Sequence, residues 1–136
     1  MYSPSTPVEE TVFAFFAALG SEDWEATRAL MTDDVQWTVM ARGVPGEGTH
    51  QGADAIFAFI KPVRALFEVG SPQLTIRSVT SAGPRLIMES HGGGQLKDGR
   101  AYDNNYVMVV EVRDGRVAAL REYMDSHYVH ELLGAG

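Results

Sequence analysis

There is no cysteine in this chain. That absence removes disulfides, thiolate metal sites and cysteine nucleophiles from consideration. It is compatible with a reducing compartment, and a cytoplasmic location is the expectation. Basic residues are scarce: 11 Lys and Arg stand against 18 Asp and Glu, for a formal net charge of −7. A phosphate backbone would meet repulsion over most of such a surface, and no basic run offsets the average, so nucleic-acid binding is not expected. Long apolar runs are missing as well. Val12–Leu19 is too short to span a bilayer and has helical periodicity, and Met1-Tyr2-Ser3-Pro4 lacks the basic stretch of a secretory leader. Neither a membrane segment nor a signal peptide is expected. No nucleotide fingerprint is present either: Gly92-Gly93-Gly94 lacks the spacing and the following helix that a phosphate cradle needs, and reads as a bulge or flexible strand end. Ser90 has no adjacent base and oxyanion arrangement, which argues against a serine hydrolase.

What is present is an ordinary globular composition, 45% hydrophobic and 21% charged over 136 residues, without internal repeat or linker. One domain over residues 1–136 is the expectation. Thr6-Pro7-Val8-Glu9 reads as a capped helix start, followed by Val8, Val12, Phe15, Phe16 and Leu19 at helical spacing and closed by Gly20. Ser21 opens a second helix to about Met31, Thr32-Asp33-Asp34 breaks it, and Val35–Met40 reads as a strand. Residues 41–52 read as a loop, and a third helix follows from Ala53, with Pro62 expected to kink or split it. Strands follow over Leu74–Thr80, Arg85–His91, Tyr102–Val112 and Val117–Met124, the last two joined through Asp114-Gly115; Ser126 opens a short last helix. Segregated helices and a strand meander make an α+β layer fold, whose concave side suits a small ligand.

This order, with these residues, resembles the SnoaL-like polyketide cyclases of the nuclear-transport-factor-like superfamily, which also holds ketosteroid isomerase and limonene epoxide hydrolase. The matching pieces are Phe13, Phe15 and Phe16, then Leu30 to Trp37, Gly52, Asp98 to Tyr102, Asp114 to Val117, and Arg121-Glu122-Tyr123-Met124-Asp125. The resemblance implies a cone-shaped α+β barrel, with three N-terminal helices packed on a curved, mostly antiparallel sheet and a short C-terminal helix. It implies that Asp125 matches the acid or base at the end of the last strand. It places Trp37 and Val39 on the cavity side of the first strand, and Phe16 and Leu19 on the helix wall. Two departures stand out. The isomerase base falls where this chain has Trp37, and tryptophan cannot abstract a proton. The arginine and aspartate of the epoxide hydrolases fall near Ser90-His91-Gly92, so that relay is missing.

Asp125 is the leading candidate for proton transfer, because burial in an apolar cavity raises a carboxyl pKa toward neutrality. Equally, an aspartate where a strand becomes a helix is a natural cap. Its neighbours depend on the hairpin. A two-residue Asp114-Gly115 turn sets Tyr106, Met108 and Val110 on the face of Tyr123 and Asp125. A three-residue loop sets Asn105, Val107 and Val109 there, and one residue of slip exchanges the faces. The resemblance favours the second register, with Asn105, Val107 and Tyr123 lining the site and Tyr106 and Met108 turned outward. Arg121 shares the Asp125 face or pairs with Glu111 across the hairpin. His91 is a second catalytic candidate, since imidazole titrates near neutral pH. His50, in the glycine-rich loop, and Met88 are candidates for binding substrate. His127 and His130 lie three apart beside Glu131 without an evident third ligand, and no metal is expected.

The reading that follows is a cofactor-free enzyme acting on a small apolar carbonyl compound by aldol cyclisation, isomerisation or hydration. A homodimer is expected, since two-fold pairs are the commonest assemblies. The alternatives are a non-catalytic module that binds a hydrophobic ligand, and a dimeric interaction protein whose pocket is vestigial.

Overall fold

The computed structural model describes residues 3–134. The first helix, α1, runs from Pro7 to Gly20. Thr6 Oγ1 accepts from the Glu9 amide at 3.1 Å, and the Glu9 carboxylate turns back to Ser5 N and Ser5 Oγ. Val12, Phe15 and Leu19 share its buried side. The second helix, α2 (Trp24–Ala29), is capped by Asp23 rather than Ser21, because Glu22 turns the chain with φ near 56°. The first strand, β1 (Met31–Val39), begins earlier than the sequence suggests. The expected loop contains an edge strand, β2 (Gly48–Gln51), paired antiparallel with β1. Helix α3 (Ala53–Arg64) is not split by Pro62, which stands near its end and faces solvent.

Four long strands follow: β3 (Gln73–Ala82), β4 (Arg85–Gln95), β5 (Ala101–Arg113) and β6 (Arg116–Met124). Helix α4 (Ser126–Leu133) ends the described chain. The sheet order is β2-β1-β6-β5-β4-β3, parallel only between β1 and β6. Helices α1 and α3 lie over one side of this sheet, α1 against β3 to β6 and α3 against β1 and β2. The fold is the α+β architecture expected. Among the described residues no helix is long and apolar enough to cross a membrane.

Two local features set which side chains face inward. Arg113 pairs with Arg116, so Asp114 and Gly115 form a two-residue turn, with φ of 53° and 73° as a type I′ turn requires. The register then shifts: Val112 pairs with Val117 but Glu111 pairs with Ala119, leaving Ala118 as a bulge on β6. The second feature is the glycine triplet, which is neither a bulge nor a loose end but paired strand, Gly92 opposite Asn104 and Gly94 opposite Tyr102. A Cβ on Gly92 would lie 2.8 Å from Tyr106 Cε2, and one on Gly94 would collide with Ser71. The missing side chains make room for the Tyr106 ring and for the segment that leads into β3.

Candidate functional site

The inner face of the sheet and helices α1, α3 and α4 surround a cavity of about 740 Å³. Phe13, Phe16 and Leu19 of α1 form one wall, Phe59, Ile60 and Val63 of α3 a second. Trp37 and Val39 of β1 join Tyr102, Tyr106 and Met108 of β5 and Glu122 and Met124 of β6 on the sheet side. Exposed lining residues at the end of α1 (Gly20, Ser21) and the start of β3 (Gln73, Thr75) mark its rim. The interior is therefore not packed solid, and its walls are mostly aromatic and aliphatic, as small-molecule sites usually are.

Among the described residues, Glu122 is the one carboxylate that lines the cavity. It stands opposite Met108 on β5 and beside Val39 on β1. Its Oε1 accepts from Trp37 Nε1 at 3.0 Å. Burial pushes the Glu122 carboxyl up to about 7, against the pull of the indole hydrogen bond. The surface it keeps is partial, and it belongs to a residue that lines the cavity. Near neutral pH such a group exists in both forms, able to take a proton or to give one.

A second polar group stands on β5. The hydroxyls of Tyr102 and Tyr106 are hydrogen-bonded to each other, and Asn104 Nδ2 donates to the Tyr102 oxygen at 3.1 Å. The Asn104 amide is itself oriented, because its Oδ1 accepts from Asn105 N at 2.8 Å and Asp125 N at 3.3 Å. Burial raises the pKa of both phenols, most strongly for Tyr106, so both stay protonated. The negative charge of Glu122, which lines the same cavity, adds to that rise in both.

The structure places several sequence candidates at this cavity: Phe16, Leu19, Trp37 and Val39 all line it. Others lie elsewhere. Asp125 is exposed; its Oδ1 caps α4 by accepting from Tyr128 N at 3.1 Å. The expectation that it faces the pocket is corrected: the Ala118 bulge turns Arg121, Tyr123 and Asp125 to the outer face. Tyr123 is 39% exposed there and Val107, its cross-strand partner, 37%. Asn105 is exposed as well. Val107 does pair with Tyr123, as the resemblance favoured, but on the solvent side of the sheet. Tyr106 and Met108, expected outside, face the cavity. His91 is half-buried on the outer face and pairs with Asp103. His50 binds the Gly46 carbonyl at 2.7 Å through Nε2 and stacks on the back of Phe59, so it supports the cavity wall without forming it. Met88 is fully buried in the core. Arg121 pairs with Glu111 at 2.8 Å. His127 lies 3.9 Å from Glu131, and His130 Nδ1 contacts the Gly43 carbonyl. Among the described residues no three His, Asp or Glu side chains cluster as a metal site would require.

Glu122 was within reach of the sequence. Leu120, Glu122 and Met124 alternate with Arg121, Tyr123 and Asp125, and the first set is the more apolar. That contrast marks it as the inward face and Glu122 as a carboxylate on an apolar stripe. Tyr102 and Asn104 carried no such signal, because their partners come from elsewhere in the fold.

Comparison with known proteins adds to this geometry. The model of the SnoaL-like domain matches residues 12–120. Among solved structures, a protein provisionally assigned as a SnoaL-like polyketide cyclase from Jannaschia sp. CCS1 superposes with a TM-score of 0.81 at 20% identity, over 100% of this chain and 98% of that one. TerC, co-crystallised with polyporic acid, gives 0.79 at 23% identity, over 93% of this chain and 98% of its own. An NTF2-like protein from Burkholderia xenovorans LB400 gives 0.78 at 23% identity, over 94% and 96%. At these identities the likeness is one of fold. A search among curated proteins finds no match.

Proposed function

The chain belongs to the SnoaL-like domain family, and on that premise we propose that it is a cofactor-free enzyme in which Glu122 moves a proton on an apolar carbonyl compound held in the cavity. The observation that carries this reading is a carboxyl group raised to about 7 within apolar walls and oriented by the Trp37 indole. As base, Glu122 removes a proton from the carbon beside the carbonyl. The C–H electron pair moves into the enolate and its negative charge onto oxygen. The enolate then attacks a second carbonyl, closing a ring as that carbonyl's oxygen takes the proton back from Glu122, or takes that proton at another carbon of a conjugated enolate, giving an isomer.

Tyr106 is the natural donor to that oxygen. Two phenols share two protons, and the bond between them uses one. Asn104 donates to the Tyr102 oxygen, and in the arrangement in which Tyr102 then donates to Tyr106, the Tyr106 proton is free for the cavity. A donor placed in advance stabilises an enolate oxygen without reorganising water. Asp125 takes no part in this scheme, and a solid interior, which the interaction-protein reading requires, is not what the fold contains.

The outer face supports pairing of two copies. Ile87, Val107 and Tyr123 are exposed there, with Val109 between them, and such a patch favours a homodimer. Light scattering coupled to gel filtration tests it: wild type should elute at twice the chain mass and Val107→Asp at the chain mass.

Proton transfer is tested by incubating the protein with 2-tetralone in D2O and following loss of the α-hydrogen signal by NMR. Exchange well above the buffer rate, lost in Glu122→Gln, is the expected result. Exchange at the buffer rate, or unchanged in Glu122→Gln, overturns the proposal.

A further inference from the structure

Arg64 is the cavity group that proton transfer leaves unused. It closes α3, is only 9% exposed and lines the cavity. Nη2 donates to the Gly20 carbonyl at 3.3 Å, and Nε is buried with no acceptor among the described residues. The carboxylate beside it, Glu22, lies 3.9 Å from Nε, beyond hydrogen-bond reach, with its own side chain 41% exposed. Burial lowers the Arg64 pKa while Glu22 opposes it, yet a guanidinium remains ionised throughout the working range. A buried cation with unmet donors is an unfavourable arrangement unless an acceptor completes it.

The charge inventory of the cavity points the same way. Among the described residues, Arg64 and Glu122 are the only formally charged side chains that line it. When Glu122 holds its proton, one positive charge remains in an apolar enclosure. The complementary ligand is a monoanion whose remaining surface is apolar. The planar fork of a guanidinium fits a carboxylate better than a single oxygen.

We propose that Arg64 anchors a carboxylate of the substrate, so that this cavity takes apolar ring compounds bearing both a carbonyl and a carboxylate. This rests on the reading of the cavity as the substrate site and narrows its substrate class. Arg64 also ties the end of α1 to the end of α3, and the test must separate anchoring from that structural tie.

Two probes of one skeleton do so: 2-naphthoate and the neutral 2-acetonaphthone, titrated calorimetrically at pH 6, where the first is ionised and Glu122 largely protonated. Wild type should bind naphthoate about tenfold tighter than the ketone or better. Arg64→Gln should remove that preference and leave ketone affinity within about threefold, whereas Glu122→Gln should keep it. Should Arg64→Gln fail to fold, Arg64→Lys and the wild-type selectivity decide: a lysine retains a reduced preference for the anion. Equal binding of the two probes by wild type, or an undiminished preference in either Arg64 variant, overturns the anchor and leaves the cavity reading intact. Binding of neither probe overturns both.

Discussion

Glu122 and Asp125 stand three residues apart at the end of one strand, and their surroundings are opposite. Glu122 projects into the cavity, hydrogen-bonded to Trp37 and flanked by Met108 and Val39. Asp125 projects into water and holds the first turn of α4. The functional group is the same, and the chemistry available to it differs because alternation along a strand sends odd and even residues to different faces. The face is set in turn by Ala118. Its bulge shifts the pairing of β6 by one residue, so that Leu120, Glu122 and Met124 meet Val110, Met108 and Tyr106. Without it the same two-residue turn would bring Arg121, Tyr123 and Asp125 to the cavity.

Deleting Ala118 is the most direct way to break this contrast. It forces Arg121 and Tyr123 inward or leaves Glu111 and its neighbours misaligned, and burying an unpaired charge costs roughly 3–5 kcal/mol. Urea unfolding should show a loss of that size or no folded protein. Glu122→Gln should lower α-proton exchange by about 1,000-fold, whereas Asp125→Asn should change it by about threefold or less. Comparable losses in the two variants would remove the distinction. Tyr106→Phe should reduce exchange by about 100-fold, with substrate affinity little changed, if its hydroxyl serves the enolate oxygen.

Stability against pH separates the two carboxyls further. The folded Glu122 pKa, about 7, lies above the ordinary 4.5, so the folded state binds more protons than the unfolded chain between these values. Stability therefore falls as pH rises from about 4.5 to about 7, by roughly 2–3 kcal/mol from this group alone. The Glu122→Gln protein should lack that slope and be the more stable form at pH 8, as chemical unfolding at several pH values would show. The smallest effect belongs to the outer residue: Asp125→Ala should lose about 1 kcal/mol, the worth of a helix cap. A larger loss would mean that Asp125 does more than hold α4.

Much of the fold was legible in the residues. Helical spacing in Val12, Phe15 and Leu19, the cap at Thr6 and the Asp114-Gly115 turn are local signals, and each led to the right element. The edge strand β2 was not, because Gly48-Thr49-His50-Gln51 has no apolar alternation and owes its conformation to pairing with β1. The glycine triplet misled for a related reason: its bareness reflects the bulk of Tyr106 and Ser71, which come from other strands and loops. Phe16, Leu19, Trp37 and Val39 could be placed on the cavity because the resemblance to the SnoaL-like cyclases matches them to wall positions, whereas periodicity alone marks them only as apolar. Arg64 could not, since a basic residue in the last turn of a helix is ordinary in any sequence.

By itself, then, the sequence determined the α+β class, the order of the long elements, and the apolar stripes that close around a cavity, because these depend on neighbours within a turn or a strand. Only the tertiary structure decided which carboxyl lies inside, which tyrosines line the cavity with it and where the buried cation sits. The first two depend on the Ala118 bulge, where one residue of slip exchanges the faces of β6, and the third on the contacts of Arg64 with Gly20 and Glu22, far from it in the chain.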